Sequence, residues 1–129
     1  MNLVAIFIGG GLGSLCRYGM GKFIMSYDSS VLAYATLFSN VLSTIVLALF
    51  VYFFQEKIDL NEVWKLLVVT GFCGGFSTFS TFSFETFEML RNGQTALAFA
   101  NVFVSVLLCL FVLYIIYKKS IISSVFIYF

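Results

Sequence analysis

Residues 70–85 read TGFCGGFSTFSTFSFE, and the reading of this stretch decides the fold. It lies within an apolar segment, yet it holds the Gly74-Gly75 pair and, beyond that pair, five hydroxyl residues: Ser77, Thr78, Ser80, Thr81 and Ser83. The alternation of Phe with Ser or Thr has a strand-like look. A single strand cannot cross a bilayer alone, however, because nothing there would satisfy its backbone. The stretch therefore predicts a discontinuous helix, with irregular backbone tolerated only where it is enclosed by protein or faces water. A break frees carbonyls that suit a cation and exposes an amide terminus that favours an anion. Beyond the break, Phe79 and Phe82 share a helix face beside a polar stripe of Thr78, Thr81, Glu85 and Glu88. A phenylalanine ring is partly positive at its edge, so rings held edge-on can line a path for a small anion without a full charge that would trap it. Ordinary aromatic packing accounts for the same two rings.

Outside this stretch the chain is just as apolar. Its 129 residues are 61% hydrophobic and 10% charged, with a mean hydropathy of +1.06, so there is too little polar surface to coat a soluble globule. A spanning helix takes about 20 apolar residues, which leaves room for four spans, expected at 3–25, 31–54, 64–89 and 95–117, in one domain covering 1–118. The first stretch lacks a basic leader and a small-residue cleavage pattern and reads as a retained helix. Residues 119–129 form a short apolar tail of unknown role, too short to cross. The fold class is thus an all-α membrane protein of four transmembrane helices with a broken third helix. Histidine is absent, and no Cys, Asp or Glu set has metal-ligand spacing, which sets aside a zinc or di-iron enzyme. The net charge of +1, without a basic block, gives no sign of a nucleic-acid partner. Cys16, Cys73 and Cys109 are far apart within apolar segments and read as small buried hydrophobes.

The basic residues fall almost evenly on the two sides. One side receives Lys57, Lys65, Lys118 and Lys119, the other Arg17, Lys22 and Arg91. This is nearly no positive-inside bias. It fits either a weakly biased single orientation or insertion both ways, with pairing to an inverted second copy. In the first span, Gly9, Gly13, Arg17 and Gly21 recur every four residues and form a small-residue face for close helix packing. A phosphate loop would need a preceding strand that this chain lacks. Arg17 lies deep for a loop charge and is expected to tie the span to neighbouring carbonyls or carboxylates. In the second span Thr36, Asn40, Ser43 and Thr44 share one face. In the fourth, Asn101, Ser105 and Cys109 repeat the pattern. Interhelical hydrogen bonding and solute contact are both open readings of these polar residues.

Taken together, GGGLGSLCRYG at 9–19, TLFSNVLST at 36–44 and GFCGGFSTFSTFSFE at 71–85 resemble the Fluc (CrcB) family of fluoride channels over essentially residues 3 to 118. The last motif looks like the family signature GxxGGxTTFSTF followed by an acidic residue, with Ser77 where the family commonly has Thr. The resemblance implies a passive, fluoride-selective channel that exports fluoride across the cytoplasmic membrane and relieves its toxicity. The channel would be an antiparallel, dual-topology homodimer with two pores and a central structural sodium ion. By motif position, Gly74 and Ser77 would bind sodium through backbone carbonyls. A side chain at Gly74 would clash, whereas Ser77→Thr would be tolerated. Phe79 and Phe82 would contact fluoride, Asn40 would donate to it, and Thr78, Ser80, Thr81 and Glu85 would belong to a polar track. Ser105 matches a pore-facing serine; Asn101 and Cys109 fall where the family varies.

Two other readings compete. A small multidrug-type exporter also has four spans, but its proton coupling wants an ionisable substrate-facing group in the first span, which offers only Arg17. A non-transporting membrane assembly subunit would explain tight packing but not a broken helix rich in Ser and Thr.

Overall fold

The computed structural model describes residues 1–27, 32–54 and 62–127. Among these residues, four helical stretches are long and apolar enough to cross a membrane: Asn2–Tyr27, Tyr34–Phe54, Glu62–Arg91 and Thr95–Lys119. The first is helix α1 (Asn2–Tyr27), and the second belongs to α2 (Leu32–Phe54). The third is composite, running through α3 (Glu62–Lys65), a π-helical segment (Leu66–Cys73), α4 (Gly74–Phe76) and α5 (Phe79–Arg91). Helix α6 (Thr95–Ile127) closes the chain. The expected loop residues Asp28 to Ser30 and Gln55 to Asn61, including Lys57, lie outside the described residues.

Between α4 and α5 helical geometry lapses for two residues, Ser77 (φ −75°, ψ 157°) and Thr78 (φ −151°, ψ 118°), both extended. The glycines do not make this interruption. Gly74 is helical (φ −65°, ψ −34°) and opens α4. Gly75 is a packing residue: a Cβ there would run into the backbone of Gly10 on α1. Gly9 and Gly13 do the same from the other side, Gly9 against Leu67 and Phe72, Gly13 against Phe72 and Phe76. The two spans thus meet backbone to backbone, as small residues allow in membranes. Gly21, expected on the same face, has nothing within 4 Å of a built Cβ, so the close seam ends before it.

Helix α2 touches α1, the third span and α6, while α5 packs on α6. The core is small-sided. Its largest fully buried side chains are Ser39 and Ser43, each 1% exposed, and Ala5, Ala35, Ala48 and Ala98 are buried with them, while large side chains such as Leu3, Phe7 and Phe103 face outward. Lipid is as apolar as leucine, so burying bulk gains little, and close approach with interhelical hydrogen bonds holds the bundle instead. Of the cysteines, Cys73 is buried and Cys109 half-buried. Cys16 is exposed on α1, contrary to expectation, because its position turns away from the glycine seam.

The turn into α6 is a hydrogen-bonded helix cap. Gly93 takes a positive φ of 75°, its amide donates to the Leu90 carbonyl at 3.1 Å, and the Gln94 amide donates to Met89 at 2.8 Å, a Schellman pattern that only a residue like glycine makes cheaply. At the other end α6 does not stop at Lys119 but continues to Ile127. Residues 118–127 contain neither glycine nor proline to end it.

Candidate functional site

The polar face of α2 is turned onto the third span. Ser43 Oγ donates to the Cys73 carbonyl at 2.9 Å, and that oxygen also receives Ser77 Oγ at 2.8 Å and the Ser77 amide at 2.9 Å. One turn earlier on α2, Asn40 Oδ1 accepts the Thr78 amide at 2.8 Å, and Asn40 Nδ2 lies 3.5 Å from the Thr78 carbonyl, a contact at the limit of a hydrogen bond. A further turn back, Thr36 Oγ1 donates to Glu85 Oε1 at 2.6 Å. The sequence singled out Glu85 but not its partner. Thr36, Asn40 and Ser43 were legible only as one helix face, and the three different targets of that face depend on the tertiary register.

Thr78 caps α5. Its Oγ1 accepts the Thr81 amide at 3.3 Å, bonds Thr81 Oγ1 at 3.1 Å and lies 3.3 Å from Ser80 Oγ, so the hydroxyl cluster serves the helix start, as an N-cap does. In an unbroken helix the Thr78 amide would close on the carbonyl of Gly74, and the Thr81 amide on that of Ser77. Both amides are engaged elsewhere, by Asn40 and by Thr78 Oγ1. The carbonyls of Gly74 and Ser77 therefore lose their ordinary helical donors, and a hard cation prefers such neutral oxygens. The donor set fits a sodium ion. The clash expected of a side chain at Gly74 does not arise within the chain, since Gly74 is exposed and nothing lies within 4 Å of a built Cβ.

Two cavities flank this break. One, about 330 Å³, is lined by Asn40, Ser77, Thr78, Phe79, Phe82, Ser105 and Cys109, with Val106 and Leu110. It brings together residues from α2, the break, α5 and α6 that the sequence assigned separately. The Phe79 and Phe82 rings stand 6.0 Å apart, tilted by 39°, and Ser105 Oγ is buried without a hydrogen-bond partner among the described residues. No charged side chain lines it. The other cavity, about 350 Å³, lies among α1, α2 and α5, and its wall includes Arg17, Lys22, Thr36, Thr81 and Glu85. Thr78 borders both.

Several expected residues stand apart from these groups. Arg17 is half-buried on the second cavity's wall and makes no ion pair with a described residue. Ser80 is exposed, and its hydroxyl lies beside that of its neighbour Thr78. Glu88 pairs with Arg91 at 2.6 Å on the outer face of α5. Asn101 Nδ2 donates to Thr86 Oγ1 at 3.2 Å and so ties α6 to α5. Residues that sequence reasoning did not assign to a cavity wall include Lys22 and Cys109. Lys22 is four residues beyond Tyr18 and lies over its ring at 5.7 Å, a spacing visible in the sequence.

Residues 4–117 match the protein family described as CrcB-like protein, Camphor Resistance (CrcB). A protein of Pyrococcus horikoshii named fluoride-specific ion channel FluC is 38% identical over 113 residues, covering 88% of this chain and 90% of the relative. Proteins of the same name are 41% identical in Pyrococcus abyssi, over 83% of this chain and 88% of the relative, and 39% identical in Klebsiella pneumoniae, over 81% and 82%.

Proposed function

This chain belongs to the CrcB family, and from that premise we propose that it is a passive fluoride-selective channel, a conduit rather than an enzyme, that lets fluoride leave the cell across the cytoplasmic membrane. The observation that carries the reading is the uncharged cavity on which Asn40, Phe79, Phe82 and Ser105 converge. Fluoride is small and strongly hydrated, so a pathway for it must replace water with hydrogen-bond donors and yet release the ion. Asn40 Nδ2 is only weakly committed to Thr78, and the buried Ser105 hydroxyl has no partner among the described residues; both can donate to an anion. The ring edges of Phe79 and Phe82 add a weak positive lining. Full charges are kept to the other cavity, where Arg17 and Lys22 draw anions towards the break. Thr78, Thr81 and Glu85 form its polar track, with Ser80 at the margin.

The working unit in this reading is an antiparallel homodimer with two pores. It is supported by the nearly even split of basic residues and by the outward-facing Gly74. Gly74 and Ser77 of each chain would hold a structural sodium ion through their main-chain carbonyls, and such an ion supplies positive charge that balances carbonyl dipoles lacking helical donors. Purified protein in liposomes should release fluoride to an electrode without a proton gradient. Release that requires a proton gradient would favour the exporter reading, and no release the assembly-subunit reading. Tags on both termini should each be accessible from both sides of oriented cells; one orientation in every cell would overturn the inverted dimer.

A further inference from the structure

We propose that Asn40, besides lining the anion cavity, is a positioning residue for the cation: its side-chain carbonyl takes the Thr78 amide and thereby leaves the Gly74 carbonyl free to act as a ligand. The inference rests on the sodium reading above and concerns how the chain builds that site. A carbonyl at the end of a helix attracts the amide four residues on, and Ser77, whose φ of −75° is already helical, would close Thr78 onto Gly74 if its ψ of 157° turned to the helical range. What prevents this is a competing acceptor from another helix. Asn40 Oδ1 holds the Thr78 amide at 2.8 Å, well within hydrogen-bonding range. The amide orientation is fixed by this bond, because only Oδ1 can accept from a backbone N–H.

The same division of labour appears on both sides of the break. Upstream, Ser43 and Ser77 saturate the Cys73 carbonyl, which belongs to the preceding helical turn. Downstream, Thr78 Oγ1 takes the Thr81 amide that would otherwise close on Ser77. Helix α2 thus selects which carbonyls stay uncommitted: it donates to Cys73 through Ser43 and removes the competitor of Gly74 through Asn40. Its weaker contact, from Nδ2 to the Thr78 carbonyl at 3.5 Å, contributes little to this task and is the part of the amide left for an anion. One residue therefore serves two ions of opposite sign with its two ends.

The two ends can be separated by substitution. Asn40→Asp keeps an acceptor for the Thr78 amide but loses the donor and adds negative charge. Asn40→Leu keeps the volume and loses both, and Asn40→Ala loses both without bulk. The measurements are equilibrium binding of radioactive sodium to purified dimer in detergent and fluoride efflux from liposomes. Fluoride efflux should fall to background with Asp. Sodium binding should persist with Asp and weaken roughly ten- to a hundredfold with Leu or Ala, the usual cost of removing a group that orients a metal ligand. Sodium bound by the Leu or Ala dimer as tightly as by wild type would overturn the proposal, as would loss of sodium from a folded Asp dimer. If wild-type dimer conducts fluoride but binds no sodium, the failure lies in the sodium reading itself and takes this inference with it.

Discussion

Phe79→Ile and Phe82→Ile are each expected to cut fluoride efflux by about tenfold or more, equivalent to about 1.4 kcal/mol in the barrier to permeation. Isoleucine fills similar space but has no ring quadrupole. Packing alone predicts otherwise, because an apolar swap of similar volume generally costs less than about 1.5 kcal/mol of stability and leaves a fold working. The distinction is sharpest at Phe79, which is 80% exposed in the chain and so contributes little to the chain's own packing. Dimer recovery should be measured beside efflux. Intact dimer with lost flux supports contact between ring edge and anion, and unimpaired flux in both variants sinks it. Phe79→Met adds a refinement, since its polarizable thioether also fills irregular space. Conduction by Met but not Ile would replace the aromatic requirement with one for a soft lining.

The neighbouring glycines should respond in opposite ways. Gly75→Ala places a methyl group against the backbone of Gly10, and overpacking of this kind costs about 1–3 kcal/mol. It should lower the thermal stability of the chain itself. Gly74→Val meets no atom within 4 Å in its own chain and sits at ordinary helical dihedrals, so the folded chain should accommodate it. If two copies meet at this position, the valine instead blocks their approach, and pairing, sodium binding and fluoride efflux should all be abolished while helicity is retained. A fully active Gly74→Val dimer would place the contact between copies elsewhere.

Much of this was legible before any coordinates, because the relevant forces are local. The four apolar stretches set the spans to within a few residues, although α6 runs on as a helix to Ile127. Less was legible where partners are distant in sequence. Glycine content pointed to Gly74-Gly75 as the place where the helix gives way, yet Gly75 serves the seam with α1, and the extended residues are Ser77 and Thr78. Composition alone cannot tell a glycine that bends the chain from one that admits a neighbour. Arg17 was read as an anchor because a buried charge demands a partner. Its position beside a cavity lined by Lys22 and Glu85 follows only from the meeting of α1, α2 and α5. The convergence of Asn40, Phe79, Phe82 and Ser105 on one cavity likewise arises from three helices and could be reached from sequence only through family resemblance.

The glycine seam between α1 and the third span also constrains how the chain is made. Helix α1 is synthesised before the third span, but the backbone that fits against Gly9 and Gly13 belongs to Leu67, Phe72 and Phe76. At roughly 5–20 residues per second, α1 waits some seconds in the bilayer before that partner emerges. Meanwhile α2 inserts beside it. The third span must then reach the seam after α2 is already in place, so the early pair has to be loose enough to admit a latecomer. Assembly order and final packing are therefore at odds in this molecule, and Gly9 and Gly13, having no side chains to lock onto α2 prematurely, keep the place open.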